Sequence, residues 1–331
     1  MSAFRLTVAI PTYNRAKHLE ARLAELVPQL GEAACIHVFD NASTDGTREV
    51  ALAVQHPAVR YSRAAQNMGM CRNICRGLEE AETEWVWILG DDDPVTGTAI
   101  QDALQWIERS SATVIQFDST GGKIEHHETI ASLEDLYSKH DPIRTLYISS
   151  LLFRIPSLRS AFLLLSSAIF TYGPHTALII RMLEKQLGVL ELQPKSLLAP
   201  WKGGKGWSSL EVSLGISLLP EFILDPAFQR LAAKHLRLDV PWMHVYGLRE
   251  VADAQGARKW RRIVWQSIAN LRGYGASYFG FGSRYRRPTT KEWKDLVLSI
   301  LVPLLPTPLL VRLAARMRAK HRTSAILEEF R

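Results

Sequence analysis

The sequence predicts an α/β fold: a mostly parallel sheet flanked by helices, followed by a mainly α-helical C-terminal region. Three observations predict it. Short β-forming runs alternate with stretches of helical spacing over residues 1–120, the pattern of a parallel sheet covered on both faces. Polar clusters follow three of those runs, at Pro11–Arg15, Asp40–Gly46 and Gly90–Asp93, where such sheets open onto ligands. From Ser208 onward the apolar spacing is mainly helical.

In order along the chain, Leu6–Ile10 reads as a strand and Arg15–Leu30 has helical spacing. Cys35–Phe39 is strand, and Arg48–Val54 is helix. The strand Val59–Ser62 precedes a helix over Met70–Ala81. Trp85–Leu89 is a buried strand, Thr98–Arg109 a helix and Thr113–Phe117 a strand. The stretch 121–207 is less regular, with a strand at Ile148–Ile155, a helix at Thr176–Leu187 and an extended run at Gly188–Leu198.

Composition narrows the function classes. The 331 residues, 47% hydrophobic, are ample for a globular core. The three cysteines, Cys35, Cys71 and Cys75, have neither the number nor the spacing of a zinc site or disulfide framework. Met1–Arg5 runs straight into strand-like Leu6–Ile10 without a leader pattern, so a reducing cytoplasm is expected. The net charge of +7 is concentrated late: from Arg258 onward there are sixteen Lys and Arg against four Asp and Glu. A basic tail suits an anionic partner. Nucleic acid is not expected, because no recognised nucleic-acid motif accompanies the charge.

The most informative run is Asp91-Asp92-Asp93, which follows Trp85–Leu89 and Gly90. Three adjacent carboxylates repel one another, and a cation relieves that. Hard divalent ions are held by one or two carboxylates plus substrate phosphates. The competing reading is an acidic turn, with Pro94 ending the strand and Thr96 capping the next helix.

Pro11-Thr12-Tyr13-Asn14-Arg15, Asp40-Asn41-Ala42-Ser43-Thr44-Asp45-Gly46-Thr47, Asn67-Met68-Gly69 with Arg72-Asn73, and Gly90-Asp91-Asp92-Asp93 occur in this order. Together they resemble the family 2 glycosyltransferases of the GT-A fold, over about the first 110 residues. The nearest likeness is to bacterial transferases that build O-antigen and other surface glycans, including the abequosyltransferase-like group. The resemblance implies a Rossmann-like domain over 1–207, with a nucleotide-sugar half at 1–120 and an acceptor half at 121–207. It implies that Pro11, Thr12, Tyr13 and Asn14 line the nucleotide pocket, that Asp40 accepts from the base, and that Arg72 and Asp92 also meet the donor. Asp91 would meet the ribose or the metal's shell, and Asp93 would ligate Mn²⁺ or Mg²⁺. UDP is the first-choice carrier, with CDP and dTDP as alternatives. The reaction implied is inverting sugar transfer from a nucleotide diphosphate to a hydroxyl of a lipid-linked or surface glycan. A nucleotidyltransferase and a non-catalytic glycan-binding homologue are the alternatives. The first has against it the absence of glycine from Pro11–Arg15.

An inverting transfer needs a general base. Where many family members carry a Glu-Asp pair, this chain has Tyr172-Gly173-Pro174-His175. His175 is therefore the candidate base, a metal or structural role being the alternatives, and Asp118 is the rival carboxylate. Glu125, His126 and His127 read as a solvated loop. Trp201-Lys202-Gly203-Gly204-Lys205-Gly206-Trp207 resembles a segment that closes over the donor, with Lys202 and Lys205 meeting phosphate. The alternative is a plain surface loop.

In the C-terminal region, 208–331, Leu296–Val311 is free of charge and interrupted by Pro303, Pro306 and Pro308. It is too short and broken to span a bilayer. With Lys291, Lys294, Arg312, Arg316, Arg318, Lys320 and Arg322 around it, the stretch 291–322 suits an anionic membrane surface. The expected location is peripheral, on the inner face of the cell membrane. The alternative is a helix pair with a solvated basic face.

Overall fold

The computed structural model describes residues 4–119, 124–140, 142–200, 209–274 and 289–329. The chain divides into two compact units, one over 1–169 and 173–204, the other over 170–172 and 205–331.

The first unit carries an eight-stranded sheet. Its strands are β1 (Leu6–Thr12), β2 (Ala34–Asp40), β3 (Val59–Arg63), β4 (Trp85–Ile88), β5 (Val114–Phe117), β6 (Glu128–Ile130), β7 (Leu151–Arg154) and β8 (Leu190–Gln193). They lie in the order β3-β2-β1-β4-β7-β5-β8-β6. β1 pairs in parallel with β2 and β4, β2 with β3, and β5 with β8. β7 runs antiparallel between β4 and β5, and β6 antiparallel to β8. The α/β expectation therefore holds, with two reversed strands in an otherwise parallel sheet.

Burial explains the strand sequences. β4 and β5 are buried at every position, as continuous apolar runs between two layers must be, and edge strand β3 is half-exposed. Helices α1 (Ala16–Leu26), α2 (Thr47–Ala53), α3 (Met70–Glu79), α4 (Ala99–Arg109) and α5 (Leu133–Lys139) follow strands. The short helices α6 (Ile155–Leu158) and α7 (Leu163–Ser167) precede α8 (Pro174–Glu184). Leu19, Leu23 and Leu26 of α1 join Ile100, Ala103 and Ile107 of α4 in one core with β1, β2 and β4.

Some elements differ from expectation. α1 stops at Leu26 and gives way to a 3₁₀ turn, since Pro28 has no amide to continue the helix. Ile148–Ser150 is a 3₁₀ turn rather than the start of β7. In the stretch 121–207, β6 and α5 were not anticipated. Ser132 caps α5 by accepting from the Asp135 amide at 3.0 Å, and His127 pairs with Glu191 at 3.0 Å.

The second unit is helical: α9 (Ser209–Ile216), α10 (Pro226–Gly247), α11 (Ala254–Arg272), α12 (Thr290–Leu301) and α13 (Thr307–Glu329). Its core gathers Trp260, Ile263, Val264 and Ile268 of α11 with Leu310 and Ala314 of α13. Trp260 Nε1 donates to the His244 carbonyl at 2.9 Å. Among the described residues no helix is long and apolar enough to cross a membrane.

Candidate active site

Strand direction fixes where the polar loops meet. β1 to β5 and β8 share one direction, so their C-terminal ends lie on one sheet edge, together with the start of reversed β7. The chain order changes sense between β1 and β4, and ligands of open α/β sheets bind at such a switch point. There Thr12 Oγ1, at the end of β1, donates to Asp91 Oδ2 at 2.6 Å.

Side-chain bonds tie the four motif segments together. Asn14 has φ +52°, a left-handed turn that asparagine tolerates. Its Oδ1 accepts from the Thr44 amide at 2.7 Å, and its amide donates to Ser43 Oγ at 2.9 Å. Asn41 Nδ2 donates to Asn67 Oδ1 at 2.8 Å, and its Oδ1 accepts from the Met68 amide at 2.9 Å. Gly69 follows at φ +83°, which a side chain would strain, and opens α3. Ala42 bears a strained φ of +65° in the same cluster of loops.

The acidic turn is gripped by Arg15 and one side of α1. Arg15 Nε lies 3.2 Å from Asp91 Oδ1, and its Nη2 2.7 Å from Asp92 Oδ2. Further along, Arg22 pairs with Glu25, whose Oε2 accepts from the Val95 amide at 3.1 Å. Gln29 donates to the Thr96 carbonyl at 2.9 Å and accepts from the Ile100 amide at 3.2 Å. Thr96 is thus tied through its backbone.

Asp93 is held from the opposite side. Tyr147 Oη donates to Oδ1 at 2.7 Å and Ser149 Oγ donates to Oδ2 at 2.6 Å. Ser149 Oγ also accepts from the Gly90 amide at 2.9 Å. A Cβ on Gly90 would stand 2.5 Å from Asp93 Oδ2, so any side chain there would push the Asp93 carboxylate from its place. Nothing in the sequence marked Tyr147 or Ser149, which lie in the irregular stretch. The segment carrying them is clamped from below: Trp87 Nε1 donates to the Ser149 carbonyl at 2.8 Å, and Gln116 Nε2 to the Arg144 carbonyl at 3.0 Å.

Burial raises the carboxyl pKa of Asp91 to about 6, against the lowering effects of Thr12 and Arg15. Asp93 is raised by burial too, against Ser149 and Tyr147. Burial and the Asp93 charge raise the Tyr147 phenol, which keeps it a donor. Among the described residues no cationic side chain forms an ion pair with Asp93, and no three His, Cys, Asp or Glu cluster as a metal cage. Mg²⁺-type ions need only one or two carboxylates beside substrate phosphates. Each Asp93 oxygen keeps a lone pair beyond its hydroxyl bond, so this donor set fits such an ion.

The other expected residues divide. Asp40 is wholly buried: Oδ1 accepts from the Ser43 amide at 2.9 Å, and Oδ2 meets Tyr61 Oη at 2.7 Å and Arg63 Nε at 3.4 Å. Its carboxylate faces these partners rather than solvent. Pro11 sits within β1 opposite Phe39, and Tyr13 is 41% exposed at the loop. Asp118 is buried just past β5, on the same edge. Arg72 does not face the edge alone, since its Nη1 pairs with Glu79 at 2.5 Å, two turns along α3. Lys202 and Lys205 lie outside the described residues.

His175, the candidate base with a metal or structural role as alternatives, lies in the core. It is 1% exposed, and its Nε2 donates to the Leu146 carbonyl at 3.1 Å. Burial lowers its pKa to about 4. The physical reason is the helix start itself: Pro174, Thr176, Ala177 and Leu178 are all buried, so the first turn of α8 enters the core. Through the Leu146 carbonyl, His175 supports the segment that carries Tyr147 to the acidic turn.

The profile described as Glycosyl transferase family 2 matches residues 7–186. The chain belongs to that family. Among its curated relatives is abequosyltransferase RfbV of Salmonella typhimurium, 30% identical over 179 residues, covering 50% of this chain and 52% of RfbV. Glycosyltransferase GlyG of Streptococcus pneumoniae is 24% identical over 131 residues, covering 38% and 44%. This family 2 chain thus spans about half the length of the curated relatives it matches. Staphylococcus aureus TarS 1–349, solved in complex with UDP, superposes with a TM-score of 0.60 at 15% identity, over 97% of this chain and 92% of that one. At that identity the likeness speaks for the GT-A fold.

Proposed function

We propose that this family 2 member transfers a sugar, with inversion, from a nucleotide-diphosphate sugar to a hydroxyl of a lipid-linked or surface glycan. The observation that carries the reading is the acidic turn at the β1–β4 switch point, where Thr12 and Arg15 hold Asp91 while Tyr147 and Ser149 orient Asp93. Asp93, with Asp91, would hold Mn²⁺ or Mg²⁺. Such an ion supplies Lewis-acid stabilisation of the charge that grows on the departing diphosphate. The mannosyltransferase PcManGT from Pyrobaculum calidifontis, TM-score 0.52 at 16% identity, was solved with GDP-Man and Mn²⁺, which supports the same class of donor and ion.

The chain's own groups would do the rest. Pro11–Asn14 and the Asp40 loop line the nucleotide side. Tyr61 and Arg63 hold Asp40, so a base reaching its carboxylate displaces or shares one of those bonds. Arg72 would contact the donor by leaving Glu79. Lys202 and Lys205 are assigned to the donor phosphates. Asp118, an acidic side chain on the same sheet edge, is assigned the role of base for the acceptor hydroxyl. His175 becomes a positioning residue beneath the Tyr147 segment. UDP remains the first-choice carrier, supported by the TarS complex, with CDP and dTDP as alternatives. A lipid-linked acceptor places the protein peripherally at the inner face of the membrane.

The test is nucleotide release from a panel of UDP, CDP and dTDP sugars, with and without Mn²⁺. Release from one donor that needs the ion and an acceptor supports the reading. Failure with every donor, together with no Mn²⁺-dependent nucleotide binding, overturns it.

A further inference from the structure

Within the helical unit, α12 and α13 are joined by a 3₁₀ turn at Val302–Leu304. The inward faces of the two helices and the turn are filled: Leu296, Ser299, Pro303, Leu310 and Ala314 are buried. The outward face of its bend is apolar. Leu301, Leu304 and Leu309 are 55%, 66% and 49% exposed, and Pro306 and Pro308 are exposed beside them.

The bend is fixed rather than loose. Arg261 of α11 donates Nε to the Pro303 carbonyl at 3.0 Å, Nη1 to Thr307 Oγ1 at 2.8 Å, and Nη2 to the Leu305 carbonyl. Arg318 of α13 donates to the Arg249 and Val251 carbonyls. One arginine holding three acceptors around the bend sets the backbone in a shape that leaves the leucines outside. An unpinned loop could fold them away from water.

Charge is ordered by distance from that bend. On α12 the exposed residues Lys291, Lys294, Val297 and Leu301 step by three and four, forming one stripe that runs from basic to apolar. On α13 the exposed residues Leu309, Arg312 and Arg316 form a second stripe, apolar first and basic after. At about 1.5 Å per residue, the cations sit roughly 5 to 15 Å back from the leucines along each helix. An interfacial helix buries its apolar side about 5–10 Å below the head groups. Long basic side chains reach up to phosphate from there. Along each helix, the charge therefore rises with distance from the bend, as the polarity of a lipid surface does.

We propose that the α12–α13 bend is a lipid-docking tip. Leu301, Leu304 and Leu309 enter an anionic bilayer surface, while Lys291, Lys294, Arg312 and Arg316 meet lipid phosphates. The proposal deepens the peripheral, lipid-acceptor side of the proposed function and rests on it only for location. The tip would dock whichever sugar is moved.

The experiment is co-sedimentation of the full chain with phosphatidylcholine vesicles, with and without phosphatidylglycerol, alongside light scattering of the free protein. Wild type should bind the phosphatidylglycerol vesicles and bind them less as salt rises. Leu301→Glu with Leu304→Glu should weaken that binding by about tenfold or more, with the melting temperature unchanged because both side chains already face solvent. The variant Lys291→Ala, Lys294→Ala, Arg312→Ala, Arg316→Ala should lose the preference for phosphatidylglycerol. Wild type that ignores the vesicles overturns the proposal, as do leucine variants that bind like wild type. A wild-type dimer that the leucine variants convert to monomer also overturns it, because the tip would then be a self-association surface. Turnover on a soluble acceptor reports the transferase reading separately, so either can fail alone.

Discussion

The Tyr147 hydroxyl donates to Asp93 Oδ1 at 2.7 Å, bringing a residue of the irregular middle stretch onto the acidic turn after β4. Ser149 does the same to Oδ2 from two residues further on. A ligating carboxylate is oriented by such hydrogen bonds, and losing them typically lowers metal affinity about 10- to 100-fold. Tyr147→Phe and Ser149→Ala should each weaken Mn²⁺ binding in the presence of UDP by about tenfold, read by Mn²⁺ electron paramagnetic resonance titration. Asp93→Ala should abolish it. Equal affinity in all three would remove the ion from Asp93.

His175 offers a prediction about pH. In the fold burial lowers its pKa from the ordinary 6.5 to about 4. The unfolded chain binds the proton first, so the stability tied to the neutral ring is complete above pH 6.5. It is lost as pH falls and levels off below pH 4. Between pH 7.5 and pH 5 this one group should cost about 2 kcal/mol. His175→Gln should flatten that part of the urea-unfolding profile. A general base contributes about 10²–10⁴-fold. If His175→Gln lowers kcat that far at pH 7.5 while stability holds, the ring is catalytic after all.

Tyr61→Phe tests the Asp40 clamp. Asp40 is wholly buried and takes one of its bonds from Tyr61 Oη at 2.7 Å. Hydrogen bonds to charged groups contribute about 1.5–3 kcal/mol. Loss of roughly 2 kcal/mol in urea unfolding is expected. Unchanged stability would mean that Ser43 and Arg63 suffice to hold the carboxylate.

The contrast between Thr12 and Tyr147 shows what was legible in sequence. Thr12 ends a run buried on both faces, and Asp91 lies in the turn that follows another. Because parallel strands put their C-terminal ends together, two apolar runs ending in polar residues predict that those residues meet. Asn14, Ser43, Asn41 and Asn67 join across 26 to 29 positions by the same logic. Tyr147 and Ser149 reach Asp93 across 54 and 56 positions, from a 3₁₀ turn feeding a reversed strand. No periodicity encodes that approach, since β7 inserts between β4 and β5 out of chain order. The burial of His175 has a related cause. A polar residue at a helix start reads as accessible, yet Gly173 and Pro174 turn this start into the core. A Cβ on Gly173 would stand 2.5 Å from Leu146 Cδ2.

The assignment of the base is the most exposed to test. Asp118 follows β5 on the edge that carries the acidic turn, and it is buried. Asp118→Asn keeps the shape and removes the proton acceptor. Turnover should fall by about 10²–10⁴-fold, while UDP affinity and Mn²⁺ affinity stay within about twofold, since neither relies on a proton transfer. Asp93→Ala should instead lose Mn²⁺-dependent nucleotide binding as well as turnover. The two variants thus separate ion binding from proton transfer. Should Asp118→Asn lower nucleotide affinity and turnover together, Asp118 belongs to the donor pocket, and the acceptor hydroxyl takes its base from elsewhere on the edge.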